Sequence, residues 1–220
     1  MHTSLSRMRP LIVLGMIALA ACQPTDKNQA PTGVVAKAMD EAAKGLGEAS
    51  QEMDKAREEI ATARDRLARE NISLNRNEKQ HLPKAEITPA GDLLIEGKAV
   101  ATTPEQKALV LAYRGELLGV VGDGMAIGME GARVGIDAAA SALKGVLAGQ
   151  DGDQIGKQVG EQAKAKIQPM VAQLCTRLPG LLSAQQALSA ALPEFSPYAT
   201  MDQADVDDCG DANGDGNWTF

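Results

Sequence analysis

The sequence predicts a mainly α fold: long heptad-patterned helices packed as a helical hairpin or bundle, with a small antiparallel β-meander. Three observations carry this. Val35, Met39, Ala42, Leu46, Ala49, Met53, Ala56, Ile60, Ala63 and Leu67 step by fours and threes without a break, about five heptads of one apolar seam. "TPEQ" at Thr103–Gln106 is a helix start: Thr103 is the N-cap, Pro104 sits at N1 and Gln106 completes a capping box. Between these helices, short β-prone runs are punctuated by Pro89-Ala90-Gly91-Asp92 and by Gly97, where Pro presets φ and Gly accepts φ > 0.

The elements follow in order. Residues 1–21 read as a leader. Arg7 and Arg9 form its positive end, and Leu11 to Ala18 is an apolar run too short to span a bilayer as a mature helix. Leu19-Ala20-Ala21-Cys22 resembles the bacterial lipoprotein signal box. That resemblance implies cleavage between Ala21 and Cys22 and acyl chains on Cys22. Each buried CH₂ contributes about 0.8 kcal/mol, so two or three chains anchor the protein. Gln23, rather than Asp, follows the cysteine; by analogy with enteric bacteria this points to the periplasmic face of the outer membrane. The alternative is an ordinary secretory signal that happens to end at a cysteine. Residues 22–32, with Pro24 and Pro31, form a polar tether.

The heptad helix is expected over residues 33–70. One seam position is always Ala (42, 49, 56, 63) and the other always large (39, 46, 53, 60, 67). Residues 72–101 are expected to form the meander. A helix then runs over about 104–148, with Val110, Tyr113, Leu117, Val120, Gly124, Ile127, Gly131, Val134 and Ala138 as its seam. Glu116, Asp123, Glu130 and Asp137 recur every seven residues and predict its wet face. Gly115/Gly119, Gly124/Gly128 and Gly131/Gly135 are spaced as GxxxG pairs. The charges between them exclude a membrane span, so the glycines predict close packing against the Ala seam, with axes nearer than the usual 8–10 Å. A break near Gly122-Asp123-Gly124 is the alternative. Asp153 is the expected cap of a helix over 153–178, kinked at Pro169. Pro179-Gly180 should break it, 181–192 should form another, and Pro193 and Pro197 end regular structure. Thr200-Met201-Asp202-Gln203 can cap a short turn before Cys209.

Composition excludes several functions. The chain holds 22 basic and 29 acidic residues, a formal charge of −7, and loss of Arg7 and Arg9 with the leader takes it to −9. No basic patch is present for phosphates, and one Trp, two Tyr and two Phe leave little for stacking bases or sugars. No nucleic-acid partner is expected. His81 is the one histidine beyond the leader, in a connector, and no Gly-x-Ser-x-Gly elbow accompanies it. One histidine and two cysteines do not make a zinc site. No catalytic residue, metal site or cofactor is predicted.

Cys175 and Cys209 form an even pair. In an oxidising envelope they read as a disulfide closing a loop of about 35 residues, worth up to about 4 kcal/mol on the chain-entropy model; two buried thiols are the alternative. Residues 210–220 form an acidic tail. Asp211, Asn213, Asp215 and Gly216 match positions 1, 3, 5 and 6 of a calcium loop, with Asn217 at position 7. The bidentate Glu of position 12 has no counterpart. A weaker site completed by Asp205, Asp207 or Asp208 is the alternative to a solvated tail held by Cys209.

The stretch "AEITPAGDLLIEGKAVATTPEQKALVLAYRGELL" resembles the YggN-like family of bacterial envelope proteins, a domain of unknown function. The motif residues are Pro89, Gly91, Leu94, Ile95, Gly97, Glu105, Gln106, Tyr113 and Arg114, with Leu174-Cys175 similar to the family's late cysteine. The likeness covers about residues 85–209, within a region spanning 71–209. The heptad helix and anchor depart from the family pattern, and the family supplies no activity to carry over. The expected role is therefore non-enzymatic: an outer-membrane-anchored periplasmic lipoprotein with a structural or protein-interaction role. It would bind an envelope protein or itself through the heptad helix. A ligand- or calcium-binding module using the acidic tail is the alternative.

Overall fold

The computed structural model describes residues 33–74 and 82–210. Two compact units divide between Ala38 and Met39. In the first, the described residues are 33–38, the opening of a helix, with Gly33, Ala36, Lys37 and Ala38 exposed. The second unit, Met39–Phe220, holds the architecture described below.

Helix α1 is Gly33–Arg69, as the seam predicts. The four-stranded antiparallel sheet follows in the order β1 (Ile72–Ser73), β2 (Ala85–Ile87), β3 (Leu93–Ile95), β4 (Lys98–Ala99). Then come α2 (Pro104–Leu147) and α3 (Gly152–Ala191), a 3-10 turn over Pro193–Tyr198, and α4 (Gln203–Asp207). Mainly helical, with long helices packed together and one small meander, the chain has the predicted fold class. Among the described residues, no helix is long and apolar enough to cross a membrane.

The meander is set by its turns. Ile72 pairs with Ile87, Ile87 with Leu93 and Ile95 with Lys98. At the β2–β3 turn Gly91 takes φ 84°, and a side chain there would also strike Leu111. Glu96 and Gly97 both have positive φ, 50° and 75°, the two-residue hairpin geometry that matches strand twist. Asp92 closes the first turn. Its main-chain N–H donates to Thr88 Oγ1 at 3.0 Å, and its carboxylate accepts from Lys107 at 2.7 Å. The Lys107 hydrogen bond, with help from Thr88, holds the Asp92 carboxyl below the usual carboxylate range.

The core sits where the sheet meets the start of α2 and the end of α3. Ala85, Ile87 and Leu93 pack with Val110, Tyr113 and Leu117, and with Leu181, Leu188, Leu192, Phe195 and Tyr198. Phe195 meets Tyr113 edge-on, ring centres 5.1 Å apart, an arrangement worth about 1 kcal/mol beyond area burial. Pro193 and Pro197 therefore do not end regular structure; they shape the 3-10 turn that carries Phe195 inward.

Arg114 lies in this apolar stripe, 4% exposed. Its Nη2 donates to the carbonyls of Leu67 (2.7 Å), Ala68 (3.2 Å) and Glu70 (2.8 Å), and its Nη1 to Ile87 (3.1 Å). The last carbonyls of a helix lack partners and carry partial negative charge. One guanidinium from α2 thus caps α1 and ties it to β2. Burial holds its pKa below the usual guanidinium value, which leaves it charged at neutral pH.

Several sequence expectations are corrected. Helix α2 is unbroken through Gly122-Asp123-Gly124. A methyl group on Gly115, Gly122, Gly124, Gly128, Gly131 or Gly135 would meet nothing within 4 Å, so these glycines do not mediate close packing against the Ala seam. Ala42 is exposed and Ala49, Ala56 and Ala63 are only partly covered. The cap of α3 is Asp151, which accepts from Asp153 N and Gln154 N, not Asp153. One helix spans 152–191 with Pro169 and Pro179 inside it. An internal proline costs about 3 kcal/mol. Buried Leu174 before Pro179, and Leu181, Leu182 and Leu188 after it, supply the packing that offsets this cost. Gly180 gives room for the Glu116 carboxylate, 3.2 Å from where a Cβ would sit.

Two outcomes test these interactions. Arg114→Ala leaves four main-chain oxygens without their donor. It should lower unfolding stability by about 3 kcal/mol in urea titration, with Arg114→Lys losing less. For Asp92 the folded pKa lies below the unfolded one, so its contribution is present above the unfolded pKa and lost as pH falls through the folded value. The melting-temperature gap between parent and Asp92→Asn should be open at pH 6 and close below about pH 4.

Candidate functional site

The acids spaced by seven on α2 do not form a wet face. Three of them, Asp123, Glu130 and Asp137, point across the hairpin to basic residues of α3. Asp123 pairs with Arg177. Lys166 reaches Asp137 at 3.4 Å and Glu130 at 3.9 Å, and Glu116 lies against Gly180. Asp123 and Glu130 are only 22% and 24% exposed, so the row acts as a half-sheltered ladder that fixes helix register. A screened pair contributes at most about 1 kcal/mol.

Where the C-terminal part of α1 comes beside α2 and α3, an open groove of about 360 Å³ forms. Leu67, Ala68, Leu118 and Met125 give it apolar surface; Arg64, Asp123 and Arg177 give it polar edges. Arg64 Nη2 donates to the Gly122 carbonyl at 2.7 Å. That oxygen belongs to a helix, so Arg64 uses its second lone pair. Gly119 keeps space for Arg177: a methyl there would come within 3.1 Å of Nη1. Each arginine spends part of a five-donor fork on these bonds. With two guanidiniums and one carboxylate, the groove has an excess of positive charge in a chain of net charge −7. It suits an acidic, partly apolar chain. A second cavity, about 20 Å³ between Tyr113, Leu117, Gln185 and Met201, has room for a water and nothing larger.

The structure brings one sequence-predicted pair together. Cys175 Sγ and Cys209 Sγ are 2.07 Å apart, a disulfide. Ala21, Cys22 and His81, and the half-loop Asp211, Asn213, Asp215, Gly216 and Asn217, lie outside the described residues. Of the acids that could complete that loop, Asp205 is engaged in the α4 capping box with Asp202, and Asp207 accepts from Gln203. Among the described residues, no group of three or more His, Cys, Asp or Glu is placed to hold a metal. Arg64, Arg177 and Arg114 were not singled out as site residues by pattern alone. For Arg114 a signal existed: a cation at the i+4 place of the stripe Val110, Tyr113, Leu117.

Helix α4 buries no residue, so the disulfide is its main tie to α3. The fixed chain before it ends at Met201, whose N–H and carbonyl both bond the Gln185 amide, at 3.2 and 2.7 Å. Closing a loop of 34 residues costs the unfolded chain about 4 kcal/mol, whereas closing the short loop from Met201 costs the folded chain about 2.5 kcal/mol. Reduction should therefore lower global stability by only about 1–2 kcal/mol while making 202–210 sensitive to proteolysis. Urea titration and limited proteolysis of reduced and oxidised protein measure the two effects.

No protein-family model matches the chain, and no curated protein or solved structure shows significant similarity to it.

Proposed function

We propose that the protein is a non-enzymatic lipoprotein of the cell envelope, anchored through Cys22 at the periplasmic face of the outer membrane. Its role is structural: α1 recruits an envelope protein or a second copy of the chain. The observation that carries this reading is the incomplete cover of the α1 seam. Met53 is 8% exposed, whereas Met39, Leu46, Ala49, Ile60 and Leu67 stay partly open and Ala42 is exposed. Helix α1 is held at its C-terminal end by Arg114 and Arg64, and from Met39 to Ala49 its seam is left partly open. Apolar positions repeating along an outer helix face suit helix-on-helix recognition. The leader pattern ending at Cys22 supports the anchor.

The test uses the full chain in membranes. A photoreactive residue at Leu46 should give a discrete crosslinked species, and one at Glu48, on the charged face, should not. Cys22→Ser should leave the membrane fraction or accumulate as precursor, and the Leu46 adduct should fall with it. Equal crosslinking from both positions, or unchanged membrane retention of Cys22→Ser, would overturn the reading.

A further inference from the structure

The groove beside Arg64 and Arg177 has a cationic part and an apolar part, each assembled from more than one helix. Arg64 of α1 donates from Nη2 to the Gly122 carbonyl at 2.7 Å. Arg177 of α3 bonds the Asp123 carboxylate through Nε, and its Nη1 lies 3.1 Å from where a Cβ on Gly119 would sit. Gly119 and Gly122 are three residues apart, a rise of about 4.5 Å. Two guanidiniums thus reach one turn of α2 from two neighbouring helices. Arg64 is exposed and the Arg177 side chain is 43% exposed, so each fork keeps donors beyond the bond that holds it. Those bonds position both forks before anything binds, which lowers the ordering cost of binding.

Glycine makes the space. A side chain at Gly119 would displace Arg177, and at Gly122 a Cβ would meet nothing within 4 Å. Leu118 and Met125 are seven residues apart and so share one face of α2. With Leu67 and Ala68 of α1 they form the apolar floor. The volume, about 360 Å³, is at the small end of ligand sites, which run from about 300 to 1,000 Å³. Two guanidiniums against the Asp123 carboxylate leave one surplus positive charge. These features match a ligand with one negative charge, a planar head and a single apolar chain. A bare phosphate would leave the floor in water. An acidic peptide would bring more negative charge than one surplus cation balances.

We propose that this groove binds a single-chain anionic amphiphile, a free fatty carboxylate. The carboxylate lies between the Arg64 and Arg177 forks, whose geometry matches its planar pair of oxygens. The alkyl chain covers Leu67, Leu118 and Met125, and methionine adapts to such a flexible occupant. This site depends neither on Cys22 nor on the open seam of α1.

The probe is dodecanoate carrying a diazirine on its chain, photolysed with the full-length protein. Label should concentrate in residues 115–133, the segment that trypsin releases between Arg114 and Arg133. Unlabelled dodecanoate should compete. Octanoate should need a concentration higher by about tenfold or more, since each buried methylene changes affinity up to about fourfold. Arg64→Gln with Arg177→Gln should cut labelling of 115–133 about tenfold. Gly122→Leu should cut it as far by filling the groove, with the melting temperature not lowered, because leucine favours a helix over glycine. Label spread evenly along the chain, or labelling retained in either variant, would overturn the proposal. So would competition as strong as that of dodecanoate from dodecyltrimethylammonium, inorganic phosphate or hexa-aspartate, which would assign the groove to any alkyl chain, a bare anion or an acidic peptide.

Discussion

The buried guanidinium of Arg114 joins parts of the chain that are far apart in sequence. Helix α1 ends beside β1, β2 supplies the Ile87 carbonyl, and α2 supplies the donor. A helix C-terminus leaves its last carbonyls without hydrogen bonds, and burying them unpaired is costly. Arg114 meets that requirement with one rigid fork, which also attracts the negative end of the helix. An arginine suits the position because a buried cation facing several acceptors needs several donors in fixed geometry. Take the fork away and α1 loses its cap and its link to the sheet in one step.

Around that junction the other polar contacts perform similar joining tasks. Gln106 completes the capping box of α2 with its carbonyl oxygen and donates its amide to the Ala191 carbonyl at the end of α3, 2.6 Å away. Tyr198 reaches back to the Pro83 carbonyl at 2.9 Å. Gln185 holds Met201 through both its donor and its acceptor. No buried side-chain nitrogen or oxygen among the described residues lacks a partner. Small sheets of two- and three-residue strands bury little apolar surface by themselves. Here the sheet becomes rigid because its strands and both flanking helix ends share one core.

Away from the core the hairpin depends on charge and shape. The ladder from α2 to α3 sets which turns face each other, and small residues sit where side chains cross, as at Gly119 and Gly180. Glycines on the exposed face of α2 gain nothing from contact and each weakens an isolated helix by up to about 1 kcal/mol. Buried residues from Val110 to Val134 on α2 and from Ile155 to Leu188 on α3 carry the helix through them.

Local chemistry determined much of this protein without reference to the fold. The seam from Val35 to Leu67 predicted α1 to within a residue, because a four-three repeat places side chains on one face of a helix whatever lies opposite. Thr103-Pro104 and Pro89-Gly91-Asp92 placed the start of α2 and the first turn, because caps and turns are settled within four residues. The cysteine pair was legible from number and spacing. Tertiary structure decided the rest. Pro179 does not end α3, because Leu181, Leu182 and Leu188 have a core to enter. Asp123, Glu130 and Asp137 of the acid row pair with Arg177 and Lys166, the first two half-sheltered from water, and periodicity cannot tell a solvated stripe from a paired one. The groove at Arg64 and Arg177 unites residues 113 positions apart, which come together only when α1 is capped and the hairpin has closed.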